Sequence, residues 1–115
     1  MHEASIAEAV IRTVQKAVPR PEARVTQVTI VVGVLAGVQT ESLRFCFEEF
    51  ARGTRLEGAR LVLTREPALL TCRACGPNGN YDGAGPVPVK CGRCGGAQNL
   101  EGGHALYVDN VEIEE

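Results

Sequence analysis

Four cysteines stand in two Cys-x-x-Cys pairs, Cys72 with Cys75 and Cys91 with Cys94, and fifteen residues separate the pairs. Two intervening residues let one tight turn aim both sulfurs at a single ion. Two such turns complete a tetrahedron with zinc–sulfur distances of about 2.3 Å. Gly76 and Gly95 follow the pairs, where glycine takes a positive φ cheaply and leaves a backbone N–H free to point at a thiolate. Competing chemistries are a disulfide framework, a thioredoxin-like redox pair and an iron site. The first is disfavoured by an N-terminus without a signal peptide, and the second needs only one pair, on a helix N-terminus. Structural zinc is the favoured reading. An ion held by four thiolates has no open position for a substrate or an activated water, so catalysis at this centre is not expected.

The other metal-competent residues are sparse. Cys46 sits within an apolar helical pattern and reads as a small core residue. His104 reads as a solvent-exposed turn residue. His2 allows two readings. It is a frayed terminal side chain, or its imidazole joins the terminal amine and the backbone amides of His2 and Glu3 in a four-nitrogen square-planar set suited to Ni(II) or Cu(II).

The elements that must position these residues follow from periodicity. Ile6, Ala9, Val10, Val14, Ala17 and Val18 form one helical face, with Ser5 and Glu8 at capping-box spacing and Pro19 and Pro21 as a stop. Arg24 to Val34 is β-branched and reads as a strand buried on at least one side. Thr40 is placed to cap a second helix carrying Leu43, Cys46, Phe47 and Phe50. Arg60 to Glu66 is a second strand ended by Pro67. Ala105 to Ile113 is a third, whose alternation slips phase near Asp109 and Asn110 as a bulge would make it. Between these last strands, residues 69–103 hold nine of the thirteen glycines and four of the five cysteines. Such an insert is too polar to bury a core of its own. It needs the roughly 10–16 kcal/mol that a structural zinc contributes.

The expected fold is therefore α/β: a three-stranded sheet with two helices, plus an inserted four-cysteine zinc-ribbon module. Residues 1–68 and 104–115 form the α/β domain and residues 69–103 the zinc-binding domain. The net charge of −2 and an aromatic content of 4% argue against a nucleic-acid partner, which calls for a basic face with stacking aromatics. No stretch reaches the roughly 20 apolar residues of a membrane span, so the expected location is cytoplasmic. No nucleophile–base pair and no phosphate-binding loop is present, and no enzymatic activity is expected.

The opening MHEASIAEAV, the central VGVLAGVQTESLRFCFEEFARGTRLEGARL, the paired Cys-x-x-Cys insert and the closing GGHALYVDNVEIE occur in that order. Together they resemble the HypA family of nickel metallochaperones over nearly the whole chain. The resemblance implies Ni(II) as transported cargo at the N-terminal Met-His-Glu, with His2 a ligand and Glu3 contributing its backbone amide, and a separate structural Zn(II) on Cys72, Cys75, Cys91 and Cys94. It implies two partners: a HypB-type nickel-binding GTPase and the large-subunit precursor of nickel–iron hydrogenase, with urease as another client in some organisms. Three positions depart from the family pattern. Val34 stands where Glu is usual, Gln39 where some relatives are acidic, and Ala105 replaces a common Glu. The rival functions are a zinc-ribbon adaptor and a zinc-ribbon nucleic-acid-binding module, neither of which has a reason to bind nickel.

Overall fold

The computed structural model of the chain describes residues 2–114. Its elements run α1 (Glu3–Ala17), β1 (Arg24–Gly33), α2 (Thr40–Ala51), β2 (Arg60–Glu66), β3 (Ala68–Cys72), β4 (Gly76–Tyr81), β5 (Gln98–Gly102) and β6 (Leu106–Glu114). They build two three-stranded sheets, one in the order β2-β1-β6 and the other β4-β3-β5. The mixed α/β class expected from the sequence is the class found. No helix among the described residues is long and apolar enough to cross a membrane.

The chain divides into two compact units. The first takes residues up to Val31, Gly37–Thr64 and the segment from Tyr107 onward; the second takes Val32–Ala36 and Arg65–Leu106. β1 is the central strand of the β2-β1-β6 sheet, and Val28 to Gly33 are buried in succession. That is the burial expected of a strand flanked on both edges and covered by side chains on both faces. α1 and α2 pack on each other, and they bury Ile6, Ala7, Val10, Ile11 and Val14 of α1 and Leu43, Phe47 and Ala51 of α2. The buried stripe of α1 is rotated from the expected one: Ala7 and Ile11 are inside, while Ala9 and Ala17 are exposed. Phe50, expected in the core, is 42% exposed.

Both helix starts differ from the sequence reading. α1 begins at Glu3 with His2 as its N-cap and no side-chain cap bond. Ser5 thus lies in the first turn and cannot serve as a capping-box residue. α2 is capped by Gln39, one residue before Thr40. Its cap N–H donates to Glu3 Oε2 at 2.9 Å, so the carboxylate of one helix start completes the other. At the far end of α1, the Arg55 guanidinium donates to Gln15 O at 2.8 Å, to Val18 O at 2.6 Å and to Arg20 O. Gln15 O and Val18 O lie at the helix C-terminus, where carbonyls lack intrahelical partners, while Arg20 O also accepts from the Ala23 N–H at 3.1 Å. β6 shows the expected phase slip: Leu106, Val108 and Val111 are half-buried, while Asp109 and Asn110 are both exposed.

The second unit is more ordered than its composition suggests. β3 pairs antiparallel with β4 on one side and with β5 on the other. Ala68, Leu70 and Cys72 point to one buried side, together with Cys91. The expectation of no core at all in this segment is corrected to a small one, in which the apolar side chains of β3 continue into the sulfur cluster. The same unit contains a close backbone crossing. Gly33 N–H donates to Ala105 O and Leu35 N–H to Gly103 O, both at 2.7 Å.

Candidate metal centre

β3 ends on Cys72, the chain turns through Arg73 and Ala74, and Cys75 precedes β4. Gly76 pairs with Cys72 across this turn and has φ +90°, a conformation that costs a residue with a Cβ far more than it costs glycine. The second turn closes similarly. Cys91 N–H donates to Gly96 O at 2.8 Å, Gly95 N–H donates to Cys91 O at 2.9 Å, and Gly95 has φ +77°. Gly96 has a separate role. A Cβ there would stand 3.2 Å from Cys72 Sγ and 3.3 Å from Cys94 Sγ, so its bare backbone lies directly against the sulfurs.

These two turns bring all four sulfurs within 4.8 Å of one another. Cys72 and Cys94 are 3.5 Å apart, Cys75 and Cys91 3.6 Å, and Cys75 and Cys94 3.8 Å. A tetrahedral zinc with bonds of about 2.3 Å requires sulfur–sulfur edges of about 3.8 Å. The cavity between the sulfurs therefore suits zinc, and the spacing is far from the roughly 2.05 Å of a disulfide. Cys46, half-buried on α2, is not part of the group.

Hydrogen bonding divides the four thiols. Cys91 is drawn down to about 6 by the backbone N–H groups of Arg93 and Cys94. Cys72 is lowered by the N–H groups of Cys75 and Ala74. Cys75 is pushed up to about 12 by its contacts with Cys72 and Cys91. Cys94 has the Gly96 N–H pulling it down but is raised on balance by its contacts with Cys72 and Cys91. The two buried sulfurs, Cys72 and Cys91, are thus shifted toward the thiolate and the two exposed ones away from it. A divalent cation held here would take the place of the remaining thiol protons.

Two residues that support the centre are not legible in the Cys-x-x-Cys pattern. Asn78, on β4, donates its side-chain amide to Cys91 Sγ at 3.4 Å and also to Gln98 Oε1. Gln98 in turn donates to Pro88 O at 3.0 Å. This chain of amides orients the Asn78 N–H toward the sulfur, the kind of outer contact that fixes a metal ligand.

The N-terminal candidates lie in the first unit. His2 is exposed, and its carbonyl accepts from Ile6 N–H at 3.2 Å, the first bond of α1. The amine of Met1, one member of the four-nitrogen set, lies outside the described residues. Glu3 is held below the usual carboxylate range, first by the Gln39 N–H and then by its own backbone N–H. As the first helical residue it has no carbonyl four residues back, so engaging its amide nitrogen would release only that self-contact. Among the described residues, the cysteine cluster is the only group of three or more His, Cys, Asp or Glu side chains able to share an ion. The side chains of His2 and Glu3 are thus not gathered with a third. Gln39 stands beside Glu3, whereas Val34 donates its N–H to Glu66 O at 2.9 Å. His104 is exposed, as expected.

Comparison with known proteins places these features in one context. The family described as hydrogenase/urease nickel incorporation, metallochaperone, hypA matches residues 1–113. A hydrogenase maturation factor HypA of Chlorobaculum tepidum is 41% identical, with 99% of this chain and 100% of that protein covered. The protein of the same name from Archaeoglobus fulgidus is 36% identical, with 99% of each chain covered. Among solved structures, that of the Ni metallochaperone HypA from Helicobacter pylori matches with a TM-score of 0.61 at 17% identity, covering 98% of this chain and 97% of that one. At that identity the likeness is one of fold.

Proposed function

The chain belongs to the HypA family of nickel-incorporation metallochaperones, and from that premise we propose that it carries Ni(II) for insertion into the large-subunit precursor of nickel–iron hydrogenase. The observation that carries this reading is the family match over residues 1–113. Geometry supports a division of labour between two metals. Zinc is assigned to Cys72, Cys75, Cys91 and Cys94, where all four tetrahedral positions are filled from within and the ion serves structure. Nickel is assigned to the N-terminal Met-His-Glu, through the His2 imidazole and the backbone nitrogens that end with the Glu3 amide. The nickel role thus falls to residues 1–68 with 104–115, and the zinc role to residues 69–103.

The exposure of His2 suits cargo, because an ion passed on by ligand exchange must be reachable by the recipient's ligands. A HypB-type GTPase is the proposed donor-side partner, and urease is the second client to which the same chemistry extends. The cysteines serve a metal, not disulfides, which fits the cytoplasm as the place of work. No step of catalysis is assigned to the chain.

Nickel titration by calorimetry tests the proposal on three proteins: one with a native N-terminus, one extended by a residue ahead of Met1, and His2→Ala. The native protein should bind one nickel, and the other two should bind much more weakly with zinc content unchanged. Equal nickel affinity in all three would refute the N-terminal site. No nickel binding by the native protein would favour an adaptor instead.

A further inference from the structure

β6 is an end strand of the β2-β1-β6 sheet. It pairs with β1 along one edge, and among the described residues no backbone–backbone bond joins Tyr107–Glu114 to anything outside that sheet. The strand has nine residues, so its free edge is about 30 Å long, where a typical strand has roughly five or six residues. A free edge of this length is a template for another strand. The faces beside it differ. On one face, Val108, Val111 and Ile113 join Ala17, Val18 and Pro19 from the end of α1 in lining a groove of about 390 Å³. Ile113 in this groove is 38% exposed. On the other face, by the alternation of the strand, stand Tyr107, Glu112 and Glu114, all exposed. Asp109 is exposed at the rim of the groove, where the alternation slips.

The charge on this strand has one sign. β6 contains no Lys or Arg, and among the described residues none of its carboxylates forms an ion pair. Glu112 accepts from Gln27 Nε2 at 2.7 Å, a neutral donor that leaves its charge uncompensated. A strand added to the free edge sends alternate side chains to opposite faces. One set enters the apolar groove; the other lies beside Glu112, Glu114 and the ring of Tyr107. The first set must be apolar. The second is best served by Lys or Arg, which meet opposite charges across the strands and an aromatic face. A second copy of β6 is the wrong occupant, since it would set carboxylates against carboxylates. The β2 edge of a second copy, basic at Arg60, would make a head-to-tail contact that does not close into a dimer.

We propose that the free edge of β6, with the groove it shares with the end of α1, docks an extended segment of a partner protein in which apolar residues alternate with Lys or Arg. Main-chain hydrogen bonds to β6 supply affinity, and the groove and the carboxylates supply specificity, as in other strand additions. The inference goes beyond nickel carriage and depends on neither metal assignment.

The test uses the full chain and fluorescein-labelled peptides as long as β6: one alternating Val and Lys, one alternating Val and Glu, and two forms of the first that are N-methylated on one or the other alternate set of backbone nitrogens. Fluorescence anisotropy reads affinity, and amide NMR shifts read location. The Val–Lys peptide should bind saturably, one per chain, with the largest shifts along Tyr107–Glu114 and at the end of α1. The Val–Glu peptide should bind at least about tenfold more weakly. Only one of the N-methylated forms should lose binding, because only alternate N–H groups of an added strand face the edge. Glu112→Lys combined with Glu114→Lys should reverse the preference toward the Val–Glu peptide. Ala17→Arg, at an exposed position where arginine keeps its helix propensity, should weaken Val–Lys binding by obstructing the groove. The peptide comparison on the unaltered chain decides the matter even where a variant fails to fold. No binding of the Val–Lys peptide, equal binding of Val–Lys and Val–Glu, equal binding of the two N-methylated forms, or shifts centred away from β6 overturns the proposal. So does sedimentation showing the chain self-associated with β6 at the interface, which would make a second copy the occupant.

Discussion

Replacing Gly33 with alanine offers a sharp test of the backbone crossing in the second unit. The glycine is not needed for a positive φ, since its backbone lies outside the left-handed region. It is needed for space. A Cβ would stand 2.1 Å from Gly103 O, 2.3 Å from Gly103 C and 2.7 Å from Ala105 N. All three are backbone atoms, which no side-chain rotation can clear, and ordinary contact begins near 3.4 Å. The strands must separate by more than about 1 Å, which strains the Gly33–Ala105 and Leu35–Gly103 hydrogen bonds. Overpacking costs about 1–3 kcal/mol, and two weakened bonds add about 0.5–1.5 kcal/mol each. A loss on the order of 2–6 kcal/mol is therefore expected, a large share of the roughly 5–15 kcal/mol of a typical domain. Thermal unfolding followed by circular dichroism should show a drop of about 10 °C or more. Gly37→Ala is the control: φ is +72° there, but nothing lies within 4 Å of the added Cβ, so only the backbone penalty of about 1 kcal/mol applies. A Gly33→Ala protein within about 1 kcal/mol of the parent, or no less stable than Gly37→Ala, would refute the argument.

The remaining expectations concern the metal and the first unit. X-ray absorption at the zinc edge should show about one zinc per chain with a shell of four sulfurs near 2.3 Å; a shell dominated by nitrogen or oxygen would contradict the assignment. Cys72→Ala and Cys94→Ala should lose zinc and disorder the second unit, while Cys46→Ala keeps its zinc, as metal analysis of the purified variants will show. Arg55→Leu should destabilise the first unit by about 2–4 kcal/mol, because the carbonyls of Gln15, Val18 and Arg20 lose a charged donor. Denaturant titration measures that loss, and a change below about 0.5 kcal/mol would mean that water satisfies those carbonyls equally well.

What the sequence made legible, and what it hid, divides by the distance along the chain over which each feature is determined. The two turns at Cys72–Cys75 and Cys91–Cys94 are set by three or four consecutive residues, so their spacing and the glycines behind them announce the cluster. β2 ends where Pro67 requires it to, and the exposed pair Asp109–Asn110 in β6 is a local break in alternation. The start of α1 departs from the sequence reading because the Ser5–Glu8 pattern is only a propensity, while burial of Ile6, Ala7 and Val10 against the core holds the helix one turn further toward the N-terminus. The cap of α2 is not visible in its own segment at all, since its acceptor, Glu3, lies 36 residues upstream.

The same distinction separates identifying the metal from knowing how its centre behaves. Four cysteines in this spacing are enough to propose zinc, but the inequality among their sulfurs depends on partners the motif does not contain. Asn78 reaches Cys91 from thirteen residues away, and Gln98 orients Asn78 from twenty residues further on. Neither residue type marks a metal site, and neither position could be chosen before the β4-β3-β5 pairing was known. The nickel site proposed at the N-terminus poses the opposite problem. Its proposed donors are mostly backbone nitrogens, which side-chain clustering would not reveal, and only His2, exposed at the N-cap of α1, is a side chain assigned to it. At a helix start the first N–H groups have no intrahelical acceptor, so a nickel ion held there as proposed would take from the Glu3 amide only its contact with its own carboxylate.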